Sequence, residues 1–135
     1  MRQPSLPTVI GPTENALRAL LRHVLASTSI DSYEEWVAMN LASRKVDDLR
    51  AGLADALKVT EARVDEMLYG LTERGLFAID ELILTDDGRE ALESARHLVA
   101  TATANVLEGI DNADIEVATR VLAAVRRGAE AGLVT

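Results

Sequence analysis

A mainly α-helical chain with one small β-hairpin is the fold class this sequence predicts, on three observations. Two short helical periodicities, Leu53 to Leu57 and Val64 to Leu71, are separated only by Lys58-Val59-Thr60. Two runs of strand-forming residues follow at once, Leu76-Phe77-Ala78-Ile79 and Glu81-Leu82-Ile83-Leu84, around the polar Asp80-Glu81. Beyond them, Leu92, Ala95, Val99, Ala102 and Val106, then Ile115, Ala118, Leu122, Val125 and Ala129, recur at alternating three- and four-residue spacing. That is the seam of a coiled coil or helical bundle.

The first observation is a helix-turn-helix. Leu53 and Leu57 lie one turn apart, and Val64, Leu68 and Leu71 repeat the spacing on a second helix. Thr60 is placed to cap that helix, because its hydroxyl can accept from an unpaired amide of the first turn. Arg74-Gly75 ends it, since glycine readily takes the left-handed conformation of a C-cap. At 100° per residue, a core face of Val64, Leu68 and Leu71 turns Ala62, Glu66, Tyr69 and Glu73 outward, flanked by Arg63 and Asp65. A hairpin directly after such a pair makes a winged helix. Thr85 then caps a long helix over Asp86 to about Leu107, whose first turn carries Asp86 and Asp87 where the helix dipole favours acids.

The remaining elements fall around this lobe. Met1 to Gly11, with Pro4 and Pro7 inside it and Pro12 just after, is expected to be a loose arm. The first helix is expected from about Thr13 to Ala26, with Ala16, Leu17, Leu20, Leu21, Val24 and Leu25 as its apolar stripe and Arg18 and Arg22 on a solvated face. Ser32-Tyr33-Glu34-Glu35 reads as a capping box opening the second helix, with Tyr33, Trp36, Val37, Asn40 and Leu41 as its buried stripe. Trp36 has two readings, a core anchor or a wall of a ligand pocket. Arg44-Lys45 precedes a third helix expected over Val46 to Leu57, and reads either as solvated loop or as a phosphate contact. After a break at Gly109 to Asn112, the last helix is expected from Ala113 to about Ala129, with Gly128 and Gly132 fraying the end.

Composition narrows the function. At 135 residues the chain is expected to form one domain with a real core. Aromatic residues are only 3%, so that core is aliphatic and alanine-rich, which favours packed helices. There is no cysteine, hence no disulfide, thiol chemistry or cysteine-ligated zinc. His23 and His97 are far apart, and neither a metal nor a cofactor is expected. No Gly-rich phosphate loop or catalytic spacing occurs, so an enzyme is not expected. No apolar run approaches the ~20 residues of a membrane span, and MRQPSLPTVIGPTE lacks the apolar segment of a signal peptide, so a cytoplasmic protein without membrane contact is expected.

The pattern LADAL..T...V...L..L..RGLF followed by LTDDGREAL resembles the MarR family of winged-helix transcription regulators, over roughly residues 13 to 130. In that family LT-x-x-G-R follows the wing. The resemblance implies a homodimer clasped by its N- and C-terminal helices, here 12–27 and 86–135, around a winged lobe at 32–85, with the arm (1–11) lying across the partner. It implies that the second helix of the pair, about residues 60–74, enters the major groove of double-stranded DNA. Thr60 then fits as a phosphate-contacting cap and Arg63 as a base or phosphate contact. Ala62 and Tyr69 share that face, and Arg44, Lys45 and Lys58 lie beside it. It also implies a small aromatic ligand between the first two helices and the dimer helices. The apolar face of the long terminal helices, larger than the lobe can cover, independently points to a second copy of the chain.

Two features depart from the family pattern. Glu66 stands where a basic residue is common, with Glu61 and Asp65 beside it, and the wing from Gly75 to Thr85 has no basic residue where the family carries an arginine. The formal charge is −8, and Val46 to Arg89 holds five basic residues against eleven acids, an excess of six. Duplex affinity comes largely from Lys and Arg meeting phosphates. The alternative reading is therefore a winged helix that has lost ordinary DNA binding and acts through a protein partner.

Overall fold

Val64, Leu68 and Leu71 are fully buried, together with Met67, and this face is the centre of the core. The structure is a computed structural model that describes residues 5–134. In chain order its helices are α1 (Leu6–Leu25), α2 (Tyr33–Ala42), α3 (Leu49–Leu57), α4 (Glu61–Glu73), α5 (Asp86–Leu107) and α6 (Asn112–Gly132), with strands β1 (Phe77–Ala78) and β2 (Ile83–Leu84) between α4 and α5. Burying each of the larger α4 side chains contributes about 1.5–3 kcal/mol. They pack with Leu25 of α1, Met39 of α2, Leu53 of α3, Phe77 of the hairpin and Leu92 of α5. The expected mainly α fold with a small hairpin wing is the fold observed.

The caps set the helix starts. The Thr60 hydroxyl accepts from the Arg63 amide at 3.2 Å. The Ser32 hydroxyl accepts from the Glu35 amide at 3.1 Å, while the Glu35 carboxylate reaches back to the Asp31 amide at 2.9 Å. At the end of α4, Gly75 has φ +77. Its amide donates to Thr72 O and the Leu76 amide to Leu71 O, both at 3.0 Å, which is a Schellman closure.

Four boundaries differ from expectation. α1 begins at Leu6, so residues 6–11 are helix and not a loose arm; Met1 to Pro4 lie outside the described residues. Pro7 stands in the first turn, where amides have no helical partner to lose. Pro12 forfeits one interior bond, but Leu6, Val9 and Ile10 continue the apolar stripe below it. α3 begins at Leu49 and not Val46, because the Asp48 carboxylate caps it by accepting from the Ala51 amide at 3.1 Å. α6 runs through Gly128 to Gly132 without fraying. Each interior glycine costs about 1 kcal/mol against alanine, and the alanines around them are the best helix formers. The hairpin is only two residues per strand, pairing Phe77 with Leu84 and Ala78 with Ile83. Leu82, at its tip, has φ +55.

In α2 the expected buried stripe is off-centre. Ala38 and Met39 are fully buried, whereas Tyr33, Trp36, Val37, Asn40 and Leu41 are half-buried. This helix packs against α1, α3, α4 and β2, so the core lies between neighbours and no single stripe faces it.

The chain divides into two compact units, Met1–Ala102 and Thr103–Thr135, with the boundary inside α5. The second unit holds the last turn of α5, a turn at Gly109 (φ +82) and α6, capped by Asp111. α6 buries none of its residues: Val117, Val121, Leu122 and Val125 are all exposed, Leu122 by 48%.

The junction of hairpin and α5 is tightly built. The Thr85 hydroxyl donates to Gly75 O at 2.6 Å and accepts from the Gly88 amide at 3.0 Å. Gly88 is buried, and a Cβ there would sit 1.9 Å from Leu76 O. That oxygen is backbone, already accepting from the Thr85 amide at 3.2 Å, so it cannot move aside cheaply. Gly88→Ala is expected to destabilise the chain by about 3 kcal/mol or more. A urea titration of both proteins measures this, and an unchanged midpoint would contradict the close approach.

Candidate nucleic-acid interface

The outward face of α4 is where the sequence places it. Ala62, Glu66, Tyr69 and Glu73 are all exposed, Tyr69 by 58%. Arg63 is exposed on the first turn beside Ala62. Thr60 caps that turn, and Lys58 is the C-cap of α3 with φ +57. Lys58, Thr60, Ala62 and Arg63 thus gather at the α3–α4 turn. Tyr69 lies on the same helix about 9 Å further along, at 1.5 Å per residue.

Arg44 and Lys45 occupy the connection after α2, both exposed, and Lys45 has φ +54. They part company there. Arg44 lines a groove of about 420 Å³ with Trp36, Val37, Asn40, Leu41 and Ala56. Lys45 faces the wing, sharing a groove of about 370 Å³ with Val46, Glu81, Leu82 and Ile83. Trp36 packs against the core, the first of its two sequence readings, and also lines this groove.

The acids of α4 are not arranged as the sequence suggests. Asp65 is half-buried and turned toward α3, where Arg50 Nε and Nη2 donate to its two oxygens at 2.7 and 2.8 Å. Arg50 also stands 3.7 Å from Glu61. The hydrogen bond from Arg50, with its charge, holds the Asp65 carboxyl below its ordinary pKa against a smaller opposing effect of desolvation. Of these three acids only Glu66 lies on the outward face, which Glu73 shares further along, and Arg63 Nη1 donates to Glu66 at 3.2 Å. Arg63 also lies 4.0 Å from Glu34 of α2. Lys58 pairs with Asp55 at 3.1 Å. Arg44 and Lys45 have no ion-pair partner among the described residues.

Sequence reasoning missed two arginines that hold the lobe. Arg74 at the end of α4 donates to Ser29 O at 2.8 Å, meets Asp31 at 3.1 Å and pairs with Glu35. Arg96 of α5 donates to Asn40 Oδ1 at 2.9 Å and to Ser43 Oγ at 2.8 Å. Partners 39 to 56 residues away leave no local signal. Arg18 is exposed, as expected of a solvated face of α1, and there it lies over the Tyr33 ring, 4.3 Å from its centroid, and pairs with Glu14. Among the described residues no group of three or more histidine or acidic side chains is placed to hold a metal, and no helix is long and apolar enough to cross a membrane.

No protein-family model matches the chain, and no curated protein matches it in sequence. Solved structures do. A MarR-family transcriptional regulator from Rhodococcus sp. RHA1 superposes with a TM-score of 0.76 at 19% identity, covering 92% of this chain and 96% of that one. The MarR-family protein Rv2887 of Mycobacterium tuberculosis gives 0.75 at 23% identity, covering 91% and 98%, in a complex with DNA. The fold is that of the MarR regulators. CouR of Rhodococcus jostii RHA1, bound to p-coumaroyl-CoA, shares the MarR fold too, at 0.78 and 16% identity over 90% and 91% of the two chains. Rv2887 is also known in complex with salicylic acid. In MarR-fold terms, α3 and α4 of this chain are the helix-turn-helix and β1–β2 is its wing.

The Arg50–Asp65 pair has a pH signature. A depressed folded-state pKa means that its contribution is present above the unfolded value and is lost as pH falls through the folded one. Asp65→Asn is expected to be less stable than the parent at pH 7, with the gap closing below about pH 4, where free aspartate begins to protonate. Thermal melts of both proteins across pH 2–8 check this. A gap that stays constant to pH 2 would mean that the pair is not formed.

Proposed function

We propose that the protein is a cytoplasmic, DNA-binding transcription regulator of the MarR type that works as a homodimer. The outer face of α4 carries this reading: it is free along its length, while Asp65 and Glu61 are drawn toward Arg50 and away from an approaching phosphate. Two copies would set their α4 helices into successive major grooves. Thr60, Ala62, Arg63 and Tyr69 would meet the groove, with Arg44, Lys45 and Lys58 on the flanking phosphates. The likeness to the DNA complex of Rv2887 supports this placement.

The dimer rests on the apolar face of α6 and on the exposed Leu6, Val9 and Leu17 of α1. Exposed apolar faces of this kind mark interaction surfaces. A small aromatic effector is consistent with the complexes of CouR and Rv2887. The groove of Trp36 and Arg44 offers such a molecule an aromatic wall and a cation, and an effector that altered lobe spacing would alter affinity for paired half-sites. No catalytic step belongs to this reading.

One observation favours a second reading. The wing tip has Asp80 and Glu81 but no basic residue, and it exposes Leu82 and Ile83. That surface suits a basic, partly apolar protein segment better than a minor groove.

Fluorescence anisotropy with genomic duplexes at low salt separates the two readings. DNA binding predicts a Kd of about 1 μM or tighter with a steep salt slope, and Arg44→Ala with Lys45→Ala, which removes two contacts from each copy of the dimer, is expected to shallow that slope by roughly 4. No binding at low salt would leave the protein-partner reading. Sedimentation velocity is expected to give the mass of two chains, and a compact single-chain particle at working concentration would remove the dimer.

A further inference from the structure

Resting on the DNA-binding reading, we infer that Glu66 and Arg63 form a base-reading pair that selects a cytosine beside a guanine in each half-site. Glu66 is the most exposed acid in the first turns of α4, its side chain 71% exposed against 52% for Glu61, which stands 3.7 Å from Arg50. Asp65, one residue earlier, is held by α3. Ala62 adjoins the pair with a methyl group alone, so nothing bulky there keeps the helix from the groove floor.

The chemistry of the major groove then limits what Glu66 can face. A carboxylate only accepts. Guanine presents two acceptors, N7 and O6, thymine presents O4 and a methyl group, and adenine sets its N7 acceptor next to its N6 donor. Cytosine presents the N4 donor without an acceptor alongside. Glu66 is therefore repelled by phosphates and by most base edges, and it is matched by cytosine.

Arg63 supplies the other half. Its Nη1 donates to Glu66 Oε2 at 3.2 Å, which fixes the direction of the guanidinium. A guanidinium has five N–H donors, so the edge not held by Glu66 keeps donors for guanine O6 and N7. The competing contact, Glu34 at 4.0 Å, is too long to hold that edge. Glu66 thus aims the arginine and rejects the wrong neighbour with one side chain.

The test is selection of bound duplexes from a randomised pool, followed by anisotropy on the winners. It is run with the full chain and with Glu66→Gln and Glu66→Ala, both checked for an unchanged melt. The parent is expected to enrich one cytosine per half-site with about 10-fold discrimination. Glu66→Ala is expected to reduce this to about 2-fold or less while still binding DNA. Glu66→Gln is expected to move the preference toward adenine, whose N6 and N7 suit an amide. An i,i+3 pair that merely steadied the helix would produce neither change. DNA binding without a cytosine preference, or a preference unaltered in Glu66→Ala, overturns the inference and leaves the DNA-binding reading standing. Failure of the parent to retain any duplex at low salt overturns both.

Discussion

One backbone oxygen, that of Leu76, organises the join on which the lobe depends. It accepts from the Thr85 amide and lies where Gly88 would carry a side chain. Around it, Thr85 bridges the Schellman turn of α4 to the first turn of α5, and Arg89 Nη1 donates to Leu84 O at 3.0 Å. The segment Leu84 to Arg89 is therefore structural in nearly every position. Leu84 is core, Thr85 is cap and strut, Gly88 is clearance, and Arg89 ties the strand end. It fixes where α5 leaves the lobe, and with it the direction in which the first residues of that helix run.

Charge does the work that aromatic residues do in richer cores. Arg50 binds α3 to α4, Arg74 binds the end of α4 to the start of α2, and Arg96 binds α5 to the end of α2. Each pair alone is half-exposed and screened, so none is a large source of stability. Their value is geometric. They draw α4 and its neighbours together at three points, and they spend on internal contacts several of the acids that make the lobe look hostile to a polyanion. Net charge already cancels those acids against their arginines, so pairing leaves the acidic excess of the lobe as it is and changes only where the remaining negative charge sits around α4.

What the sequence made legible was local. Thr60, Ser32 and Thr85 announce their helices because a cap acts within three residues, and Val64, Leu68 and Leu71 announce a buried face because periodicity is a property of one helix. Three prolines point to a shorter α1 than the one that forms, although Pro7 stands where the helix has no amide bond to lose. Asp48 was passed over as a cap, which put α3 three residues early. The partner of Asp65 could not be read at all, since it depends on how α3 crosses α4. For the same reason Glu61, Asp65 and Glu66 look alike in sequence, whereas in the fold Arg50 engages the first two and Glu66 stands the most exposed.

Trp36 is the chain's only tryptophan, and it stands half-buried on the wall shared with Arg44. All indole emission from the protein therefore arises from a single spot, beside the exposed Arg44. The molecule carries its own optical gauge, with no label to attach and no second indole to subtract. The same ring touches the core on its other side, so its colour and intensity register both arrivals at the groove and loosening of the lobe beneath it.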